Sequence, residues 1–381
     1  MENPFTLTFG QKPTEFISRT NQIGKIIHTF DMENPSNKVY MVAGVRGSGK
    51  TVSLAEIADH YSSNDQWIVL SLSADTDLIA GAVSELTRVS QFHDLDLGLN
   101  LNLGIAELSV NKTNDSLEKE AMLRNILEKL KNKGKKVLFI IDEIINNSYV
   151  KVFASNFQIY ITQNYPVYLV MAGLFDNISN LQNEKSLTFL YRAPKIFLEP
   201  LSIPAITTSY RSVFDISPSE AVEMAKLTKG YPFAFQILGY LKWETNDDLE
   251  KLLPKFDEEL IIYAYEKIWS ELSELDRKIV YVISTGVYKT GEIREKLSIS
   301  PQLLNTYRKR LMERGVVNGS VRGELTLALP HDKSNPQLRD AQALLVRRAV
   351  RCPQRDSCFL SPAVPLDPPN YESSFCLPCC R

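Results

Sequence analysis

Residues 1 to 351 contain no cysteine; all five, at 352, 358, 376, 379 and 380, fall in the last 30 residues. The body of the chain therefore holds no disulfide and no thiolate metal site. Histidine is scarce too, and the four, at 28, 60, 93 and 331, are too scattered to form a catalytic triad or a metal-ligand spacing. No uninterrupted apolar run approaches the roughly 18 residues of a membrane helix. The N-terminus, MENPFTLTFGQK, also lacks the basic start and apolar stretch of a secretory signal. The expectation is a cytoplasmic protein with no membrane partner, in which the acceptor-like triplets at Asn111, Asn114 and Asn146 stay unglycosylated. A formal net charge of -2 excludes a chain-wide attraction for nucleic acid, so any such contact has to be local.

What is present is a chain of 381 residues, 44% apolar and 23% charged, long enough for two or three domains with buried cores. Seven of its 19 prolines lie beyond residue 330, where the cysteines also gather, which marks a boundary near Pro330. The spacings Cys352-x5-Cys358 and Cys376-x2-Cys379 raise the question of zinc. The first is loose, no histidine follows, and the segment between is proline-rich, so residues 331–381 are expected to be a disordered or non-native tail.

Apolar strands alternate with helical patterns through the first half. KVYMVA (38–43), WIVLSLS (67–73), VLFIID (137–142) and VYLVMAG (167–173) read as buried strands, and DLDLGLNLNLGI (94–105) has the alternation of a half-exposed strand or hairpin. The expected fold class is α/β, a doubly wound parallel sheet, of the P-loop NTPase type on account of the loop Gly44-Val-Arg-Gly-Ser-Gly-Lys-Thr51 behind the first strand. Beyond residue 201 the strand signal fades into helices, and a helix–helix–turn–helix pattern followed by two short strands from 273 to 330 reads as a winged helix-turn-helix. The expected domains are 1–200 (ATPase-type core), 201–265 (helical lid) and 266–330 (winged helix).

Gly44-Val45-Arg46-Gly47-Ser48-Gly49-Lys50-Thr51 satisfies G-x-x-x-x-G-K-[ST], between an apolar strand and a helix. Glycines let backbone N–H groups wrap a phosphate at the helix N-terminus, with Val52 entering the helix behind them. Lys50 is placed to reach the β- and γ-phosphates, and Thr51 to ligate Mg²⁺. At the end of VLFIID, Asp142 points into the crevice where ligands of such sheets bind and becomes the second Mg²⁺ candidate, through water. Glu143 beside it is the candidate base for an attacking water. ATP and Mg²⁺ are thus the expected cofactors.

These motifs, with Lys229-Gly230-Tyr231-Pro232, resemble the AAA+ ATPases, in particular archaeal- and bacterial-type ATPases close to the STAND signalling NTPases and the origin-recognition initiators. The resemblance runs from about residue 3 to 330. It implies that NPFTLTFGQKPTEFISR is an N-terminal box along the adenine, with Ser18 in place of a glycine and Phe16, Ile17 and Arg19 near the nucleotide. It implies that Gly230 and Pro232 shape a lid closing over the nucleotide; the alternative is a plain turn before a helix. It further implies that Arg192 reaches a phosphate, sometimes on a neighbouring subunit in a nucleotide-dependent homo-oligomer, the alternative being an exposed ion pair. MAGLF offers no polar residue before Asp176 for the position that senses the γ-phosphate, which stays unassigned.

In SPQLLNTYRKRLMERG the apolar Leu303, Leu304, Tyr307 and Leu311 face a core, leaving Arg308, Lys309, Arg310 and Arg314 outward. With Arg322 in the wing, these are the candidate contacts to double-stranded DNA, Lys309 and Arg310 foremost. Residues 266 to 330 carry 11 Lys and Arg against 8 Asp and Glu, a modest excess, and winged helices also dock proteins. The expected function is Mg-dependent ATP hydrolysis that switches the arrangement of core and winged helix, which engages DNA or a protein partner. The alternative is a non-hydrolysing, STAND-like regulator whose winged helix docks a protein.

Overall fold

The computed structural model describes residues 2–8, 10, 12–92 and 115–330. The alternating segment at Asp94–Ile105 and the cysteine-rich tail lie outside the described residues.

The first half folds as α1 (Thr20–Asp31), β1 (Val39–Ala43), α2 (Lys50–Ser62), β2 (Trp67–Ser73), α3 (Leu78–Phe92), α4 (Asp115–Asn132), β3 (Lys136–Asp142), α5 (Ser148–Thr162), β4 (Val167–Gly173), α6 (Phe175–Gln182), α7 (Thr188–Tyr191) and β5 (Lys195–Phe197). The strands form one parallel sheet in the order β2-β3-β4-β1-β5. Every residue of β1 and β4 is buried, because helices cover both faces; this is why these strands are continuously apolar rather than alternating. Side chains still divide by the pleat. Met41, Phe139, Leu169 and Met171 pack with α3 to α6, whereas Tyr40, Val42, Leu138 and Val170 pack with α1 and α2 around Phe30 and Tyr61. Strand β5 escapes a reading of the sequence because three residues beside a proline are too few to show a period.

Register brings the working ends of the strands level: Ala43 pairs with Gly173 and Ser73 with Asp142. Strand β4 separates β1 from β3 and ends in Gly173, where an added Cβ would sit 2.8 Å from Ile144 Cγ2. The crevice between the loop after β1 and the acids after β3 thus stays open.

Helices α8 (Ile203–Val213), α9 (Pro218–Thr228), α10 (Pro232–Thr245) and α11 (Leu249–Leu260) pack around a second apolar core, in the segment where the sequence places a lid. This core recruits the N-terminus: Phe5 stacks on Phe214 at 5.6 Å and meets Phe235 edge-on at 5.4 Å. A Cβ on Gly239 would lie 2.5 Å from the Phe5 ring, so only glycine admits it. Phe5, from the start of the chain, therefore packs with these four helices.

A π-turn at Ile261–Tyr265 joins α11 to α12 (Glu266–Ser270) and leads into α13 (Glu274–Ser284), α14 (Thr290–Leu297), α15 (Pro301–Glu313) and the antiparallel pair β6 (Val317–Asn318) and β7 (Thr326–Leu327). These elements close over a separate apolar cluster that includes Ile279, Ile283, Ile293, Leu304, Leu311 and Leu325. Ser273 and Asp276 form a reciprocal capping box at the start of α13. No described helix is long and apolar enough to cross a membrane.

Candidate functional site

Helix α2 begins at Lys50, behind Gly47 at φ 68° and Gly49 at φ 85°, left-handed angles that suit glycine. Space also demands glycine at 47, where a Cβ would run into Tyr231 Oη and Phe233. Lys50 is folded onto its own loop, Nζ donating to Gly44 O at 3.0 Å and Val45 O at 2.9 Å. Burial pulls its ammonium down to about 8, against the raising influence of Asp142. A buried cation held by two neutral carbonyls is poised for an anion, whose arrival would restore its proton affinity. The buried Ser48 hydroxyl has no hydrogen-bond partner, another polar atom left unsatisfied in the cradle.

Thr51 Oγ1 donates to Asp142 Oδ2 at 2.6 Å, so the hydroxyl after the lysine and the acid ending β3 meet. A hydroxyl and a carboxylate are the oxygen donors a hard divalent cation prefers, and this pair fits Mg²⁺. Glu143 is exposed and left-handed at φ 50°, and its N–H donates to Asp142 Oδ1 at 2.8 Å. A non-glycine residue in this region costs about 1 kcal/mol, strain of the kind concentrated at functional sites. That turn brings Glu143 to the wall of one cavity of about 370 Å³ together with Gly47, Gly49, Lys50, Thr51, Val52 and Asp142.

Among the further polar residues that line the cavity and that the sequence did not single out are Asp75 after β2 and Asn177 in the first turn of α6. Asn177 stands four residues beyond the end of β4. It follows Asp176 directly, and the turn of α6 brings it round to the cavity.

The N-terminal strap closes another side. Phe16, Ile17 and Arg19 line the cavity, as do Thr6 and Leu7. Arg19 braces the loop from behind, donating to Ser48 O at 2.9 Å and to Glu199 O, and burial lowers its pKa to about 10. Gln236 of α10 holds both ends of the strap, accepting from Thr6 N–H and donating to Glu15 O.

The segment Lys229–Pro232 connects four parts of the molecule in four residues. Lys229 Nζ donates to Leu327 O and Leu329 O of the winged domain. Gly230, at φ 77°, lies where a Cβ would strike Leu201 O. Tyr231 Oη donates to Arg46 O of the phosphate loop at 2.7 Å, and Pro232 lines the cavity while opening α10.

No protein-family model matches the sequence, and neither does any curated protein. Solved structures do. A Walker-type ATPase of Pyrococcus abyssi superposes with a TM-score of 0.60 at 16% identity, over 90% of this chain and 99% of that one. The ORC2 protein of Aeropyrum pernix, solved in ADPNP–ADP complexes, gives 0.58 at 13% identity, over 90% and 98%. The chain has the fold of these structures. Its phosphate loop and its Asp142–Glu143 turn occupy the crevice at the strand ends where ligands of such α/β sheets bind.

In this ATPase fold Arg192 stands apart from the cavity. It follows α7 and lines a separate surface cleft with Gln158, Glu184 and the exposed Tyr191, and is not among the residues that line the cavity. The basic residues of α15 also differ from the outward row that the sequence suggests. Arg308 donates to Gly319 O at 2.9 Å, Arg310 pairs with the buried Asp276, and Arg314 pairs with Asp176 and approaches Asp276 at 3.7 Å. Lys309 makes only a loose i,i+4 pair with Glu313 at 3.9 Å, its side chain 78% exposed, and Arg322 is exposed.

Proposed function

We propose that the chain binds ATP with Mg²⁺ and hydrolyses it, and that occupancy of the site sets the relation between core, lid and winged domain. The convergence of Lys50, Thr51, Asp142 and Glu143 on one cavity carries this reading. Thr51 and Asp142 would hold Mg²⁺, which would neutralise charge on the β- and γ-phosphate oxygens. Lys50 would bind the phosphates, and the N–H groups at the start of α2 would cradle them. Glu143 would take a proton from the attacking water as its oxygen bonds to the γ-phosphorus and the bond to the ADP oxygen breaks. Phe16, Ile17 and the strap backbone would enclose the base.

Binding is tested by titrating ATP into the full chain with and without Mg²⁺. Affinity that needs Mg²⁺ and weakens in Asp142→Asn supports the reading, and metal-independent or absent binding overturns it. The second reading is the regulator that binds ATP without turnover; wild-type turnover excludes it. The output is motion of the winged domain, which engages double-stranded DNA or a protein partner. Arg308, Arg310 and Arg314 are engaged within the molecule, whereas Lys309, in only a loose exposed pair with Glu313, and Arg322 are the exposed cations that would contact DNA phosphates. Binding to DNA through them must weaken as salt rises; none at low salt leaves the protein partner. Arg192, outside its own cavity, would act on a neighbouring subunit in a homo-oligomer, which a mass measurement with and without Mg·ATP tests.

A further inference from the structure

Behind the phosphate loop lies a second cavity of about 380 Å³, between the loop, the first turn of α6 and the winged domain. Two ion pairs on its walls join core to winged domain. Arg46 Nε donates to Glu271 Oε1 at 2.9 Å, tying the third residue of the phosphate loop to the turn before α13. Arg314, at the end of α15, pairs with Asp176 at the start of α6. Between them the backbones close up: a Cβ on Gly315 would lie 2.5 Å from Val45 Cγ1. Arg46, Leu174 and Asn177 line both this cavity and the nucleotide cavity. The first turn of α6 therefore stands between the two, Asn177 lining both and Asp176 only the second, where it meets Arg314.

We propose that the Arg46–Glu271 and Arg314–Asp176 pairs are a latch by which the winged domain grips the phosphate loop, and that phosphates in the nucleotide cavity release it. Phosphate oxygens compete with Glu271 for Arg46, and a nucleotide that draws Asn177 inward moves Asp176 away from Arg314. Release also uncovers Arg314, a cation at the end of α15, for an anionic partner. Side chains in both pairs are a fifth to two-fifths exposed, so each pair is worth only about two- to five-fold in an equilibrium constant. A latch of that strength holds the domain yet yields to a ligand with differential affinity for the open form. The coupling rests on the reading of the cavity as a nucleotide site; the latch itself does not.

Hydrogen exchange of the full chain, first without nucleotide, tests the latch. Glu271→Gln and Asp176→Asn should speed exchange at residues 268–272 and 314–317, whereas Asp176→Glu, which keeps the charge, should retain wild-type protection. Mg·ATP should speed exchange at the same segments in the wild type. By reciprocity Glu271→Gln should bind Mg·ATP about two- to five-fold more tightly. Unchanged exchange in both neutral variants overturns the latch. Unchanged affinity in Glu271→Gln, while the wild type binds normally, overturns the coupling. A wild type that takes up no Mg·ATP overturns the nucleotide reading instead, and is told apart because the variants' exchange is read without nucleotide.

Discussion

The phosphate loop and helix α15 are both rich in basic side chains, and the fold uses them in opposite ways. Lys50 is buried with only neutral carbonyls as hydrogen-bond acceptors and faces an open cavity. Arg310 and Arg314 have carboxylate partners, Asp276 and Asp176, within the chain. One region keeps a cation without an ion-pair partner in hydrogen-bond contact, open to a ligand; the other uses its charge inside the molecule, Arg308 and Arg310 within their own unit and Arg314 across to the core. A basic row in a sequence says nothing of this difference, because the partner acids are 34 and 138 residues away.

The contrast can be broken from either side. The largest effect should come from Lys50→Ala, which removes the cation from the cavity; a charged hydrogen bond of about 2–3 kcal/mol predicts Mg·ATP binding weakened about 100-fold, read by calorimetric titration. On the other side, Asp276→Ala leaves two arginines facing an empty acid site and deletes the capping box of α13. It should cost about 3 kcal/mol of stability, seen as an earlier urea midpoint, while Arg314→Ala costs less because Arg310 still neutralises Asp276. Gly239→Ala should push Phe5 out of the lid and cost about 1–3 kcal/mol in the same measurement, with added exchange at residues 3–7.

The Lys50 cation also predicts a pH dependence. Phosphate prefers the protonated amine, so Mg·ATP affinity should be full below about pH 8, where Lys50 keeps its proton, and should fall as pH rises past that value. The decline is at most about ten-fold per unit and should vanish in Lys50→Ala. The smallest effect concerns the winged domain. If DNA binds there, Lys309→Ala should lower the slope of log affinity against log salt by about one, with no loss of stability.

The sheet was legible because strands buried on both faces write themselves as apolar runs, and KVYMVA, WIVLSLS, VLFIID and VYLVMAG appear in the fold within a residue of their sequence bounds. The conformation of the glycine-rich loop was legible because its left-handed turns at Gly47 and Gly49 need glycine, a local requirement. Asn177 was not, since its place depends on where α6 starts. Neither was the role of Phe5, which crosses from the chain's start to pack against α10. The pairing of Arg314 with Asp176 was hidden for the same reason: it is settled by how two domains pack, and no local spacing records that.

The central claim is that the Asp142–Glu143 turn makes the cavity hydrolytic. Phosphate release from Mg·ATP in a single turnover, compared between wild type and Glu143→Gln with nucleotide binding checked in both, tests it most directly. The account predicts equal binding and a rate at least about 100-fold lower in the variant. Equal rates in the two proteins, or no turnover by a wild type that binds Mg·ATP, would contradict it.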